Sequence, residues 1–208
     1  MRREIQELMK LGRYLKEQDM LLGSSGNISV RVQEGFLISA SGTCLDGLKE
    51  DDVSICSYNG TFQGKNPSKE YKLHQTIYEQ REDINCVIHC SPFYATLLAC
   101  SQLSLKKNIF VETMYYLEGI YQIPFDYPGS SKLEHSVEQV CESCDVILMR
   151  HHGVMVYGCS IEETVTTLEV LERCCKMNVI AYDSLLELSK QEAQSFLEYF
   201  GNKYKWSR

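Results

Sequence analysis

Residues 86–100 read Cys86-Val87-Ile88-His89-Cys90-Ser91-Pro92-Phe93-Tyr94-Ala95-Thr96-Leu97-Leu98-Ala99-Cys100. No Asp, Glu, Lys or Arg occurs from Cys86 to Leu105, a length sufficient to span a bilayer. His89, Ser91, Pro92, Ser101 and Gln102 interrupt the run. The stretch therefore predicts a buried strand over 85–90 and a packed helix from Pro92 to about Cys100, with no membrane partner. Side chains alternate faces along a strand. Val87, His89 and Ser91 share one side, and Ile88 and Cys90 the other, which puts an imidazole at a strand end just ahead of a helix.

Working upstream, Pro67-Ser68 predicts a helix running to about Gln80, with Ser68 as its N-cap and Glu70 in its first turn. Val53–Cys56 reads as a strand followed by a hairpin signal at Asn59-Gly60. Ile28–Val32 and Phe36–Ser39 read as a hairpin around Gly35, and residues 1–22 carry apolar positions at helical spacing. Downstream, short strands are predicted over Ile109–Thr113, Tyr121–Ile123, Val146–Met149 and Val154–Tyr157, with a helix over Leu133–Cys141. A long helix follows from Ile161 to about Leu188, then a shorter one from Gln191 to Phe200. Many short strands with helices between them fit a mixed sheet covered on both faces. A chain of 208 residues fits one domain over 1–208, with a C-terminal tail at about 189–208.

The formal net charge of -7 and the lack of a dense Lys/Arg run exclude a nucleic-acid footprint. Met1-Arg2-Arg3-Glu4 leads into an amphipathic pattern, not an apolar block, which predicts no secretory leader and a cytoplasmic location. In that compartment the ten cysteines are expected as reduced thiols. Cys141-x-x-Cys144 and the Cys174-Cys175 pair lack a second ligand pair at zinc-site spacing and read as small core residues.

Three groups of residues can carry chemistry. His89 and His152, each at a strand end, together with Glu70 make a two-histidine, one-carboxylate set that suits a catalytic zinc with an open position. His74 stands one helical turn from Glu70, but without an H-E-x-x-H pattern it reads as a packed histidine. In Arg150-His151-His152-Gly153 the glycine is expected to permit the turn that exposes the imidazoles. The turns at Gly23–Asn27, Ser41–Thr43 and Pro67–Lys69 offer backbone N–H groups and hydroxyls of the kind that bind phosphate.

Taken in order, GSSGNISVR (23–31), SASG (39–42), PSKE (67–70), VIHCSPFYATLLA (87–99), LMRHHGVMVYG (148–158) and LEVLE (168–172) resemble the class II aldolase/adducin family, and within it the L-fuculose-1-phosphate aldolase branch. The resemblance covers about residues 4 to 185. It implies a three-layer α/β/α fold around a mixed, mostly antiparallel sheet. It also implies a homotetramer with sites between subunits, and a divalent metal, zinc in the first instance. By motif position Glu70, His89 and His152 would be metal ligands, and Glu70 would also be the catalytic proton shuttle. Gly26, Asn27, Ser41, Gly42, Ser68 and Lys69 would bind the substrate phosphate. The family's H-x-H strand motif is here His89-Cys90-Ser91, so a serine stands where the second imidazole is expected. A tyrosine proton donor from the neighbouring subunit would correspond to the region of Thr113, Tyr115 and Tyr116, or to Tyr204. The implied reaction is retro-aldol cleavage of a ketose 1-phosphate to dihydroxyacetone phosphate and an aldehyde. A sugar-phosphate 4-epimerase and a catalytically silent, partner-binding domain like the adducin head are the alternatives.

Overall fold

The computed structural model describes residues 1–204, with side chains through residue 200. In chain order the elements are α1 (Arg2–Glu17), β1 (Asn27–Val32), β2 (Gly35–Ser39), β3 (Val53–Cys56), β4 (Phe62–Gln63), α2 (Tyr71–Gln80), β5 (Cys86–Cys90) and α3 (Phe93–Ala99). They continue with α4 (Val111–Tyr116), β6 (Ile120–Ile123), α5 (Ser131–Glu138), β7 (Val146–Met149), β8 (Gly153–Gly158), α6 (Ile161–Ala181) and α7 (Lys190–Tyr204).

The strands form one sheet in the order β4-β3-β2-β1-β5-β8-β7-β6. Only the β6–β7 pairing is parallel; every other neighbour runs antiparallel. The uncharged stretch becomes the central strand β5, buried at every position, and the short helix α3. Continuous burial follows from helices on both faces, which leave neither side of β5 to water. On one face Ile28, Val30, Ile88, Cys90, Val154 and Val156 pack with Leu8, Leu11 and Leu15 of α1, Ala95 and Leu98 of α3, and Leu168 and Leu171 of α6. On the other, Phe36, Ile38, Val87, Ile147, Met155 and Tyr157 pack with Leu73 and Ile77 of α2 and Leu133 and Val137 of α5. Two apolar cores on either side of one sheet make the three-layer α/β/α architecture. Cys141, Cys144, Cys174 and Cys175 are all buried in these cores. No helix among the described residues is long and apolar enough to cross a membrane.

Several boundaries differ from the sequence reading. Ile109–Thr113 is not a strand: β-branched Ile109 and Val111 suggested one, but the Thr113 hydroxyl accepts from Phe110 N and donates to Phe110 O, which starts helix α4. The long helix stops at Ala181, short of Leu188, because Lys106 Nζ donates to the carbonyls of Tyr182 and Leu185 and Leu188 N bonds Asn108 O. The region 189–208 is helical over Lys190–Tyr204. Ser68 is not the N-cap of α2, which begins at Tyr71 with Glu70 in the cap position.

Pro92 gives α3 no side-chain cap. The cap comes instead from α6, where the two carboxylate oxygens of Glu172 accept Tyr94 N and Ala95 N, each at 2.8 Å. This ties α6 to the segment that directly follows His89. Glu172→Ala leaves both donors without that partner and is expected to lower unfolding free energy by about 2–3 kcal/mol in urea titration. A change below about 0.5 kcal/mol would show that water replaces the carboxylate at no cost.

Candidate metal centre

The site forms where the last residue pairs of β5 meet its two neighbours. Asn27, the first residue of β1, pairs with His89, and His89 pairs with Met155 of β8. Both neighbours must approach the backbone at His89 and Cys90 closely. A Cβ at Gly26 (φ +90) would stand 2.7 Å from His89 O, and one at Gly153 would stand 2.5 Å from Cys90 O. The Arg150–Gly153 turn uses positive φ at both His151 (φ 55) and Gly153 (φ +159), so the glycine permits the turn as its position suggests. His is among the few side chains that adopt positive φ with some frequency, and the turn swings His152 back over the end of β5.

Glu70 arrives from the other layer, at the N-terminal end of α2, and is 8% exposed. Its Oε2 lies 3.2 Å from His89 Nε2, and its Oε1 lies 3.3 Å from His152 Nε2. The two rings meet edge to face with centroids 4.9 Å apart. One ligand atom from each of Glu70, His89 and His152 lies within 4.8 Å of the others.

The hydrogen bonds define what these atoms can hold. His89 Nδ1 donates to Val154 O at 2.9 Å. In the neutral ring that bond fixes the proton on Nδ1 and leaves a lone pair on Nε2, directed at Glu70. Glu70 Oε1 and His152 Nδ1 are buried without a hydrogen-bond partner among the described residues. A carboxylate faced by two ring nitrogens calls for positive charge between them. Two imidazole nitrogens and a carboxylate, gathered within 4.8 Å of one another, are the donor types of a catalytic zinc site. The donor set and the orphaned oxygen therefore fit a divalent cation. With protons alone, the charge settles on His89. Burial opposes it, but the hydrogen bond and charge of Glu70 outweigh burial and raise its pKa. Burial and the His89 charge lower that of His152. For Glu70, burial pushes the carboxyl up, yet the His89 hydrogen bond and the charges of both histidines hold it down to about 2.

The remaining sequence candidates lie around this centre. Asn27 Nδ2 donates to Glu70 Oε2 at 3.3 Å, so its side chain supports the carboxylate directly. Ser39 Oγ accepts from Ile28 N, which ties the start of β1 to the end of β2. Ala40 bridges Pro67, and Ser41 N bonds Asn66 O, so the Ser41-Gly42 turn runs beside Ser68-Lys69. Ser68 Oγ accepts from Glu70 N, while Lys69, Ser41 and Gly42 are exposed. Ser91 Oγ turns toward His152 O at 3.5 Å. Cys90 points into the opposite core, where burial raises its thiol pKa. His74 is outside the triad; Nε2 bonds Asn27 Oδ1 and Nδ1 bonds Ser29 Oγ. Thr113 is buried in α4, and Tyr115 and Tyr116 line a cleft of ≈ 660 Å³ with Cys159 and Ser160, at the far end of β8 from His152. The side chain of Tyr204 lies outside the described residues.

One loop by the centre was not singled out from the sequence. Residues 124–130 leave β6 beside the 150–152 turn, where Arg150 N bonds Ile123 O. The Phe125 ring stands 6.5 Å from the ring of His151. At the other end of the loop, a Cβ on Gly129 would be 3.3 Å from Lys69 O. The signal was available in Pro124, Pro128-Gly129 and the Ser130 N-cap, which mark a tight, fixed turn.

Comparison with known proteins gives four matches. Residues 6–179 match the Class II Aldolase and Adducin N-terminal domain family. The chain is 29% identical over 177 residues to an L-fuculose phosphate aldolase of Methanococcus maripaludis, covering 85% of this chain and 97% of the relative. It is 27% identical over 183 residues to a 3-oxo-tetronate 4-phosphate decarboxylase of Pectobacterium atrosepticum, covering 85% and 84%. Among solved structures, an L-fuculose 1-phosphate aldolase superposes with a TM-score of 0.83 at 26% identity, covering 95% of this chain and 96% of its own.

The low pKa of Glu70 sets a sign for stability. Its ionised form stabilises the folded chain above the ordinary value of 4.5, and that contribution is lost as pH falls toward about 2. In chelator, the stability difference between wild type and Glu70→Gln is expected to shrink steadily between those pH values. A pH-independent difference in urea titrations would contradict the ion-paired carboxylate.

Proposed function

Because the chain belongs to the class II aldolase and adducin N-terminal domain family, we propose that it is a metal-dependent lyase that cleaves a ketose 1-phosphate of the L-fuculose 1-phosphate type. Cleavage would release dihydroxyacetone phosphate and an aldehyde. The observation that carries the reading is the convergence of His89 Nε2 and His152 Nε2 on one buried carboxylate. Glu70, His89 and His152 would hold the cation, zinc by the nitrogen-rich donor set. A divalent cation held there supplies Lewis-acid stabilisation of negative charge on substrate oxygens.

The chain's own residues do the rest. Glu70 would take up and return a proton at the reacting centre. Gly26, Ser41, Gly42 and Ser68 border the phosphate position with backbone N–H groups and hydroxyls, and Lys69 adds a point charge. Asn27 is assigned to the same position in part only, since its amide already bonds Glu70. Leu22, Phe93, Phe125 and Tyr127 are exposed near this end of the sheet. They suit a homotetramer whose neighbouring subunit covers the site and could bring Tyr115 or Tyr116 to it. Ten cysteines expected as thiols, together with a sugar-phosphate substrate, support a cytoplasmic location.

The similarity to a 3-oxo-tetronate 4-phosphate decarboxylase supports a second reading. Decarboxylation also breaks a carbon–carbon bond and leaves negative charge to be stabilised, so the same centre serves it. The test is metal analysis of chain purified without chelator, followed by assays on ketose 1-phosphates and on 3-oxo-tetronate 4-phosphate. Near-stoichiometric zinc with aldehyde release is expected, and His152→Ala should weaken zinc binding by more than the about 10–100-fold typical of losing a residue that only supports a ligand. Carbon dioxide release alone would move the assignment to the decarboxylase. Absence of metal and of turnover in a folded chain would leave the silent, partner-binding alternative.

A further inference from the structure

A chain of buried polar groups runs from the centre into the protein. Glu70 Oε2 accepts from Asn27 Nδ2, Asn27 Oδ1 meets His74 Nε2 at 2.5 Å, His74 Nδ1 meets Ser29 Oγ at 2.7 Å, and Ser29 Oγ meets Tyr78 OH at 2.8 Å. Every member is at most 8% exposed, and His74 and Ser29 are at 0%. The chain has one consistent sense. A carboxylate can only accept, so the end of the Asn27 amide that faces Glu70 is the NH2. Its oxygen must then face His74, and Nε2 of His74 must carry the proton. Burial, then the charge of His89, hold the His74 ring neutral with a pKa of about 3, so Nδ1 accepts from the Ser29 hydroxyl, which accepts from Tyr78. Flipping the amide would set its oxygen against the Glu70 carboxylate and its NH2 against the Nε2–H donor.

We propose that His74 is a positioning residue for the cation site. Its Nε2–H holds the Asn27 oxygen and so fixes where the amide NH2 meets Glu70. That amide anchors Oε2, while Oε1, beside His152, has no hydrogen bond among the described residues. The role rests on reading Glu70, His89 and His152 as the cation ligands. It differs from simple packing, because what matters is one N–H at one point, not the volume of the ring.

The test is zinc affinity of the full chain, by competition with a chelating indicator, for wild type, His74→Gln and His74→Phe, with thermal melts alongside. Glutamine can place an N–H near the position of Nε2; phenylalanine fills the space without one. His74→Phe is expected to weaken zinc binding by about 10–100-fold, the range for loss of a group supporting a ligand, and His74→Gln to restore most of it whatever the two melting temperatures. Undiminished affinity in His74→Phe, or equal losses in both variants, overturns the positioning role and leaves the cation reading standing. Failure of the wild type to bind zinc overturns the cation reading and the role with it. Should His74→Phe fail to fold, Ser29→Ala asks the same question by removing the donor to Nδ1. Weakened zinc binding supports the proposal, and unchanged binding overturns it.

Discussion

A carboxylate withdrawn from water and faced by two imidazole nitrogens is an unbalanced set of atoms, and the architecture of this chain is arranged to keep it so. Removing an ionised group from water is costly unless charge and hydrogen bonds offset the loss. At Glu70 the offset is partial. Oε2 has the Asn27 amide and His89, whereas Oε1 has only His152 Nε2 nearby and no hydrogen bond among the described residues. Oε1 is what sets Glu70 apart from a satisfied buried carboxylate, and a cation or a proton there would complete it.

Three independent parts of the fold produce that arrangement. The central strand holds His89 rigidly between β1 and β8, with its tautomer fixed by Val154 O. The left-handed backbone at His151 returns His152 over the strand end. Helix α2, packed on the opposite face through Leu73 and Ile77, presents Glu70 at its N-terminal end. Glu70, His89 and His152 lie 19 and 63 residues apart in sequence, and the sheet closes them in space. Rigid elements, not loops, thus set two of the three, as a coordination site of fixed geometry requires.

Much of this was legible in the sequence because it rests on local pattern. The uncharged stretch with a histidine and a following proline gave β5 and α3, and the Gly/Ser turns and Pro67–Glu70 marked where chain reversals bring polar groups together. What was not legible depends on partners far apart. His74 reads as packed from its helix, but its bonds to Asn27 and Ser29 cross 47 and 45 residues and leave no periodic trace. Ile109 and Val111 suggested a strand, since β-branched residues favour one; the Thr113 hydroxyl, bonded to both backbone groups of Phe110, starts a helix instead. Ser68 looked like a helix cap, but its backbone is committed to Ser39, which delays the helix to Tyr71.

The central claim is that Glu70, His89 and His152 share one cation. X-ray absorption spectroscopy of the zinc-loaded chain tests it most directly. The expected spectrum has nitrogen and oxygen neighbours at about 2.0–2.1 Å with the outer-shell scattering of two imidazole rings and no sulfur, and loses one ring's contribution in His89→Ala. A sulfur neighbour at about 2.3 Å, or a spectrum without imidazole scattering, would place the metal elsewhere and contradict it.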